Sequence, residues 1–162
     1  MNTVFAVIGD NMKTNDYLIS DFSNDIFTCA FKIYFSELGI NVSDWNSLWE
    51  EMNRDEGNLA YVKVNNLEKT IGFIQFKEIE LENSFFSEKY GFIREFWIAK
   101  EYRGKGFGTQ LFNSCELYFK EKGVSQVILT TDTAEDFYID KGYSINQNIV
   151  AKNDLTVMTK AI

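Results

Sequence analysis

Apolar positions along this chain change their period several times. Across residues 24–39, Ile26, Ala30, Ile33 and Tyr34 recur at helical spacing, and Gly39 can close the helix. Ser43 or Asp44 can cap a second helix reaching about Asn53. The period then falls to two. Residues 59–64, alternating in their apolar residues, read as a strand, Asn65 and Asn66 read as a turn, and residues 70–79 form the second arm of a hairpin. Residues 92–98, rich in aromatics, predict a third strand. After a glycine-rich turn, Phe107, Leu111, Cys115, Tyr118 and Phe119 make the core stripe of a helix running to about Lys122, with Gly123 as its stop. Residues 127–131 are a strongly apolar strand. Asp132, with Glu135 three residues on, looks like a capping box that opens a short helix ending before Gly142. Residues 143–150 and 155–160 predict closing strands, and residues 4–8 or 17–19 would serve as the first. The order predicts a mixed α/β chain with a central strand–helix–strand unit.

At 162 residues the chain suits one domain, residues 1–162, with a single sizeable core. Its apolar fraction of 45% and aromatic fraction of 16% argue against disorder. No apolar run approaches the roughly 18 residues needed to cross a bilayer. Residues 1–9 lack a basic start and run into Asp10, so no signal peptide is expected. Cys29 and Cys115 read as reduced thiols of a cytoplasmic protein.

Histidine is absent. That excludes Ser-His-Asp and Cys-His nucleophile systems and zinc sites that use histidine, and two cysteines cannot make a four-thiolate site. No metal is expected. A general base must be a carboxylate, tyrosine, lysine or held water. The net charge of −8 is uneven: residues 1–57 carry 3 basic and 10 acidic side chains, the remainder 13 and 14. This disfavours nucleic acid and leaves a cationic partner open for the front third, beside plain solubility.

The chemistry concentrates at Arg103, Gly104, Lys105, Gly106, Phe107, Gly108 and Thr109, between a strand and an amphipathic helix. Three alternating glycines remove β-carbons where a ligand would approach backbone amides, which point from the positive end of a helix. Arg103 and Lys105 add full charge. The arrangement suits a pyrophosphate. It is not a Walker loop, and the dinucleotide fingerprint starting at Gly104 fails because Thr109 stands at its last position.

These residues do resemble the acetyl-coenzyme A loop of the GNAT superfamily, Gln/Arg-x-x-Gly-x-Gly/Ala, here Arg103, Gly106 and Gly108. The preceding Phe96, Trp97, Ile98, Ala99, Lys100, Glu101 and Tyr102 look like that family's strand and its approach, with Lys100 where proline is usual. A second segment, Ala134-Glu135-Asp136-Phe137-Tyr138 followed by Gly142-Tyr143, is similar to the family's Ala-x-x-Phe-Tyr-x-x-x-Gly-Phe. Both stand in the family's order. The likeness runs from about Leu59 to the C-terminus.

The resemblance implies an acyl-coenzyme A N-acyltransferase fold, a central mixed sheet flanked by helices with two splayed parallel strands. By it, Phe96, Trp97 and Ile98 offer backbone bonds to the pantetheine arm. Gly104, Lys105, Gly106, Phe107, Gly108 and Thr109, led by Arg103, wrap the pyrophosphate. Phe137 lines the thioester end, and Thr131 stands where the family often has asparagine. Tyr138 is the expected proton donor to the departing thiolate. Glu95 matches a substrate-binding acid of the polyamine-acetylating branch, whose first acid is replaced here by Arg94. Glu95 would recognise the ammonium or assist its deprotonation through water, unless it is a surface carboxylate paired with Arg94. Tyr34, Trp45, Trp49 and Tyr90 are candidates for an acceptor wall or for core packing.

The expected activity is direct transfer of acetyl from acetyl-coenzyme A to an amine acceptor, small or on a protein, and cationic when free. Neither membrane nor nucleic acid is expected as a partner, and a homodimer is one assembly the resemblance admits. A longer acyl group fits the same reading. A non-catalytic acyl-coenzyme A-binding or protein-interaction module is the rival, disfavoured because a sensor has no use for the phenol of Tyr138.

Overall fold

The computed structural model describes residues 12–162. The alternative first strand at residues 4–8, and residues 1–9 read for a signal peptide, lie outside them. The strands are β1 (Thr14–Ile19), β2 (Asn58–Asn65), β3 (Thr70–Glu82), β4 (Ser87–Ile98), β5 (Gln126–Thr131), β6 (Ser144–Ile145) and β7 (Thr156–Ala161). They form a seven-stranded sheet in the order β1-β2-β3-β4-β5-β7-β6. Among the described residues only β4 and β5 pair in parallel. This is the expected α/β mixed sheet, and its parallel pair flanks the expected helix.

Four helices cover it: α1 (Asp25–Glu37), α2 (Trp45–Arg54), α3 (Phe107–Glu121) and α4 (Glu135–Asp140). Local chemistry explains the first two starts. Asn24 accepts the Ile26 amide at 2.9 Å, and Asp44 the Ser47 amide at 3.1 Å. The face that α1 buries is Phe27, Ala30 and Phe31, whereas Ile33 is 40% exposed. The rings of Phe27 and Phe31 both pack against Phe73 of β3, which turns Ile33 outward. On α3, Phe112 joins the buried stripe while Tyr118 stays half-buried.

Two expectations fail. Asp132 and Glu135 form no capping box: α4 starts two residues later than the box requires, with Ala134 as its cap. The Thr131 hydroxyl accepts the Ala134 amide at 3.1 Å, and Glu135 accepts from Thr156. Residues 143–150 are not a strand beyond Ser144–Ile145. The Asn146 side chain accepts the Asn148 amide at 3.0 Å, folding the chain into a turn instead.

The sheet separates two cores. Phe27, Phe31, Trp49, Phe73 and Trp97 belong to the one beneath α1 and α2. Ile74, Phe76, Ile93, Leu111, Phe112 and Leu129 belong to the one beneath α3. Trp45 and Trp49 stack on each other at 5.2 Å, with Trp49 buried, so these two candidates for an acceptor wall pack in the first core.

Between the cores the sheet forks. Strands β4 and β5 pair only from Tyr90 opposite Gln126 to Ile93 opposite Leu129. At that point β4 carries an extra residue: Ile93 faces Phe76 and Glu95 faces Gln75, leaving Arg94 as a β-bulge. The bulge bends β4 away from β5, and residues 94–98 have no strand partner on that side among the described residues.

Candidate active site

Past the fork lies a cleft of about 450 Å³. One wall is the end of β4, with Phe96, Trp97 and Ile98. Tyr102, Arg103, Gly104, Gly106, Gly108 and Thr109 form its mouth, and Ala134, Phe137 and Tyr138 the opposite wall. The aromatic lining is ordered by packing: Phe96 stacks on Phe137 at 5.4 Å, and Phe112 meets both edge-on.

At the mouth, Gly104 and Gly106 have φ of 71° and 85°, the left-handed region that disfavours side chains. A β-carbon on either would meet nothing within 4 Å, so their outer side is open. Gly108 is needed for the opposite reason, since a β-carbon there would approach Phe96 at 3.1 Å. Helix α3 starts at Gly106 with no side-chain cap, leaving its first amides unsatisfied. Free amides, an open glycine surface and the positive end of a 15-residue helix fit a pyrophosphate.

Arg103 does not point freely into this mouth. Its Nε donates to the Ile98 carbonyl at 2.8 Å and its Nη2 to Glu37 at 2.7 Å. Glu37, the last residue of α1, also accepts from the Trp97 indole at 2.8 Å and the Lys100 amide at 3.2 Å. Burial pushes the Glu37 carboxyl up, but these three donors outweigh it and hold the group below the ordinary glutamate range. Lys105 donates to the Glu101 carbonyl, and Phe107 is buried against Tyr102; neither lines the cleft. Thr109 accepts from Lys141 at 2.8 Å. Thr131, expected on the cofactor, instead opens α4 and lies outside the lining.

At the inner end, Tyr138 is 7% exposed. Burial, then the charges of Glu95 and Asp132, push its phenol up to about 12, so it stays protonated at neutral pH. Glu95 sits on β4 just past the bulge. Arg94 is not its partner: that guanidinium bonds Asp55 at 2.7 Å and Asn58 at 3.0 Å. Glu95 instead accepts the Tyr34 hydroxyl at 2.7 Å. Burial raises its carboxyl above the ordinary value, against the Tyr34 hydrogen bond and the Arg94 charge, which lower it. Beside it in register lies Gln75, 1% exposed, whose amide nitrogen has no hydrogen-bond partner among the described residues. A buried donor of this kind calls for a water or ligand oxygen.

The fold thus brings Tyr138, Phe137, Phe96, Trp97, Ile98, Arg103, Gly104, Gly106, Gly108 and Thr109 to one cleft, with Glu95 beside its inner end. Sequence reasoning missed Glu37, Gln75, Tyr102 and Ala134, and took Asp132 for a cap. Tyr102 and Ala134 flank the recognised motifs and could have been included on that ground. Glu37 and Gln75 carry no local signal.

The acetyltransferase (GNAT) family model matches residues 19–143. Curated proteins give no match. Among solved structures, a GNAT-family acetyltransferase from Staphylococcus aureus is 17% identical, with a TM-score of 0.68 over 92% of this chain and 99% of that one. An aminoglycoside acetyltransferase from an uncultured soil metagenomic sample, in complex with trehalose, is 16% identical, with a TM-score of 0.68 over 85% and 93%. A PaiA N-acetyltransferase from Thermoplasma acidophilum, in complex with coenzyme A, is 17% identical, with a TM-score of 0.62 over 93% and 100%. At these identities the likeness is one of fold.

Proposed function

The chain belongs to the acetyltransferase (GNAT) family, and from that membership we propose that it moves acetyl from acetyl-coenzyme A directly onto an amine that is cationic when free. One observation carries this reading: the open glycine loop and Tyr138 line a single cleft. Related folds act on small molecules or bind coenzyme A by their own descriptions.

Acetyl-coenzyme A supplies an activated thioester, whose thiolate the amine displaces. The residues of this chain bind and orient. The free amides at the start of α3 and the backbone of Gly104 and Gly106 hold the pyrophosphate. The unpaired edge of β4 at Phe96, Trp97 and Ile98 offers backbone bonds to the arm. Arg103 acts by tying the loop to β4 and α1, not as a direct ligand.

Glu95 attracts the ammonium and takes its proton through a water for which Gln75 is the second partner. Its raised pKa improves it as a base. Tyr138 donates a hydrogen bond to the leaving sulfur. Full transfer from a phenol at about 12 to a thiolate of ordinary pKa, about 8.5, is uphill, so its contribution falls at the low end for a general acid.

The working compartment in this proposal is the cytoplasm, where Cys29 and Cys115 stay as free thiols. No helix among the described residues is long and apolar enough to cross a membrane. The test is coenzyme A release across an amine library. Turnover with any amine supports the proposal; binding of coenzyme A without release on any amine leaves a non-catalytic binding module.

A further inference from the structure

A second depression lies near the fork. It has a volume of about 300 Å³ and is lined chiefly by Phe92, Ile128, Thr130, Ile149 and Val157, with Lys152 at its rim. Phe92 and Ile128 face each other across the last paired stretch of β4 and β5. Both point away from the α3 core, because their neighbours Ile93 and Val127 lie in it. Glu95, bonded to Tyr34 of α1, points to the same side. Three residues of strand separate Phe92 from Glu95, about 10 Å at about 3.3 Å per residue. Walking up the fork on this face, one meets an apolar groove and then a carboxylate, whose charge reaches the Tyr138 phenol on the α3 side.

We propose that the groove holds the body of the acceptor, which makes the substrate class a primary amine on a hydrocarbon or phenylalkyl chain. The inference rests on the transferase reading for the position of the amine and deepens it. Three observations favour this occupant over other amines. The groove wall is chiefly apolar, and its neutral polar side chains, Thr130 and Asn153, are too few to satisfy the several hydroxyls of an amino sugar. Lys152 at the rim repels the second ammonium of a polyamine. Glu95, on the same face beyond the groove, supplies a carboxylate for the ammonium at the end of such a chain.

The test uses the full chain saturated with coenzyme A. Calorimetry measures binding of ethylamine, butylamine, hexylamine, 2-phenylethylamine, glucosamine and spermidine, and the same amines are assayed for turnover with acetyl-coenzyme A. Each buried methylene can strengthen binding by up to about fourfold. Hexylamine should therefore bind tenfold to a few hundredfold tighter than ethylamine, and tighter than glucosamine or spermidine. Ile149→Asp, on an exposed turn where folding is not at stake, should flatten the series. Lys152→Glu should improve spermidine. An affinity series that is flat within twofold, or led by glucosamine or spermidine, overturns the inference even if turnover is seen. A rising series without turnover keeps the groove and overturns the transferase reading, and a flat series without turnover overturns both.

Discussion

Glu37 and Arg103 stand 66 residues apart in the chain and 2.7 Å apart in space. The acid closes α1, where a helix end disfavours negative charge, and three donors from the cleft wall and loop compensate it. In the proposed site the motif arginine therefore acts on the ligand through the shape of the loop. Glu37→Gln should raise the Kd for coenzyme A about tenfold, the low end for weakening a charged hydrogen bond. A calorimetric titration decides this; an unchanged Kd would mean that the loop holds its shape unaided.

Coenzyme A should raise the melting temperature. At about 100 times its Kd the gain is roughly 2.7 kcal/mol, about 5–11 °C for a chain of this size. Gly106→Asp should abolish the shift, because it places a negative charge on the open side of a residue at φ 85°. NAD should give no shift. Stabilisation by NAD and not by coenzyme A would point to a dinucleotide site.

Tyr138→Phe should lower kcat about 100-fold, the low end for a general acid, with coenzyme A affinity nearly unchanged. The ring packs against Phe112, Phe137 and Tyr143, and phenylalanine keeps those contacts. Full kcat in the variant would leave Tyr138 as packing alone.

Glu95→Gln separates function from stability. Its pKa is raised in the fold, so the folded state holds that proton more tightly than the unfolded chain does. The stability linked to it is full below the unfolded value near 4.3 and falls as pH rises through the folded value. At pH 7 the carboxyl thus weakens the fold relative to pH 4. The variant should melt higher at pH 7, by about 2–4 °C per kcal/mol recovered, with little change near pH 4. Its kcat should fall about tenfold or more. A variant that melts lower at pH 7 would show that the carboxylate stabilises the fold.

An acceptor amine with pKa near 10.4 is almost wholly protonated at neutral pH, and only its neutral form attacks. Turnover should rise between about pH 7 and 9, and KM should rise with salt as attraction to Glu95 and the acidic front third is screened. Steady-state profiles in pH and ionic strength test both, and a KM indifferent to salt contradicts the cationic acceptor.

What could be read from the chain was local. Arg103 to Thr109 follow one another between a strand and a helix, so their spacing exposed them, and Phe137 and Tyr138, adjacent on a short helix, entered through the resemblance to the family's second segment. Asp44 and Asn24 cap their helices through neighbours two or three residues away. What could not be read depends on distant partners. Tyr34 reaches Glu95 across 61 residues, and the buried amide of Gln75 lies beside Glu95 only through strand pairing. Asp132 misled because its spacing to Glu135 is right, while Thr131 competes for the same turn and wins.

The bulge at Arg94 makes the fork a matter of counting. Side chains on a regular strand alternate, so losing one codon between Ile93 and Phe96 would take out the extra residue and let β4 run on in register with β3. Phe96 would still face α3, and Trp97 the helices that cover it. Point substitutions can retune the acid at position 95 and leave the scaffold in place. A single-residue deletion there would spare both cores and remove the bend that opens the cleft, so the length of this strand answers to the fork and not to the packing.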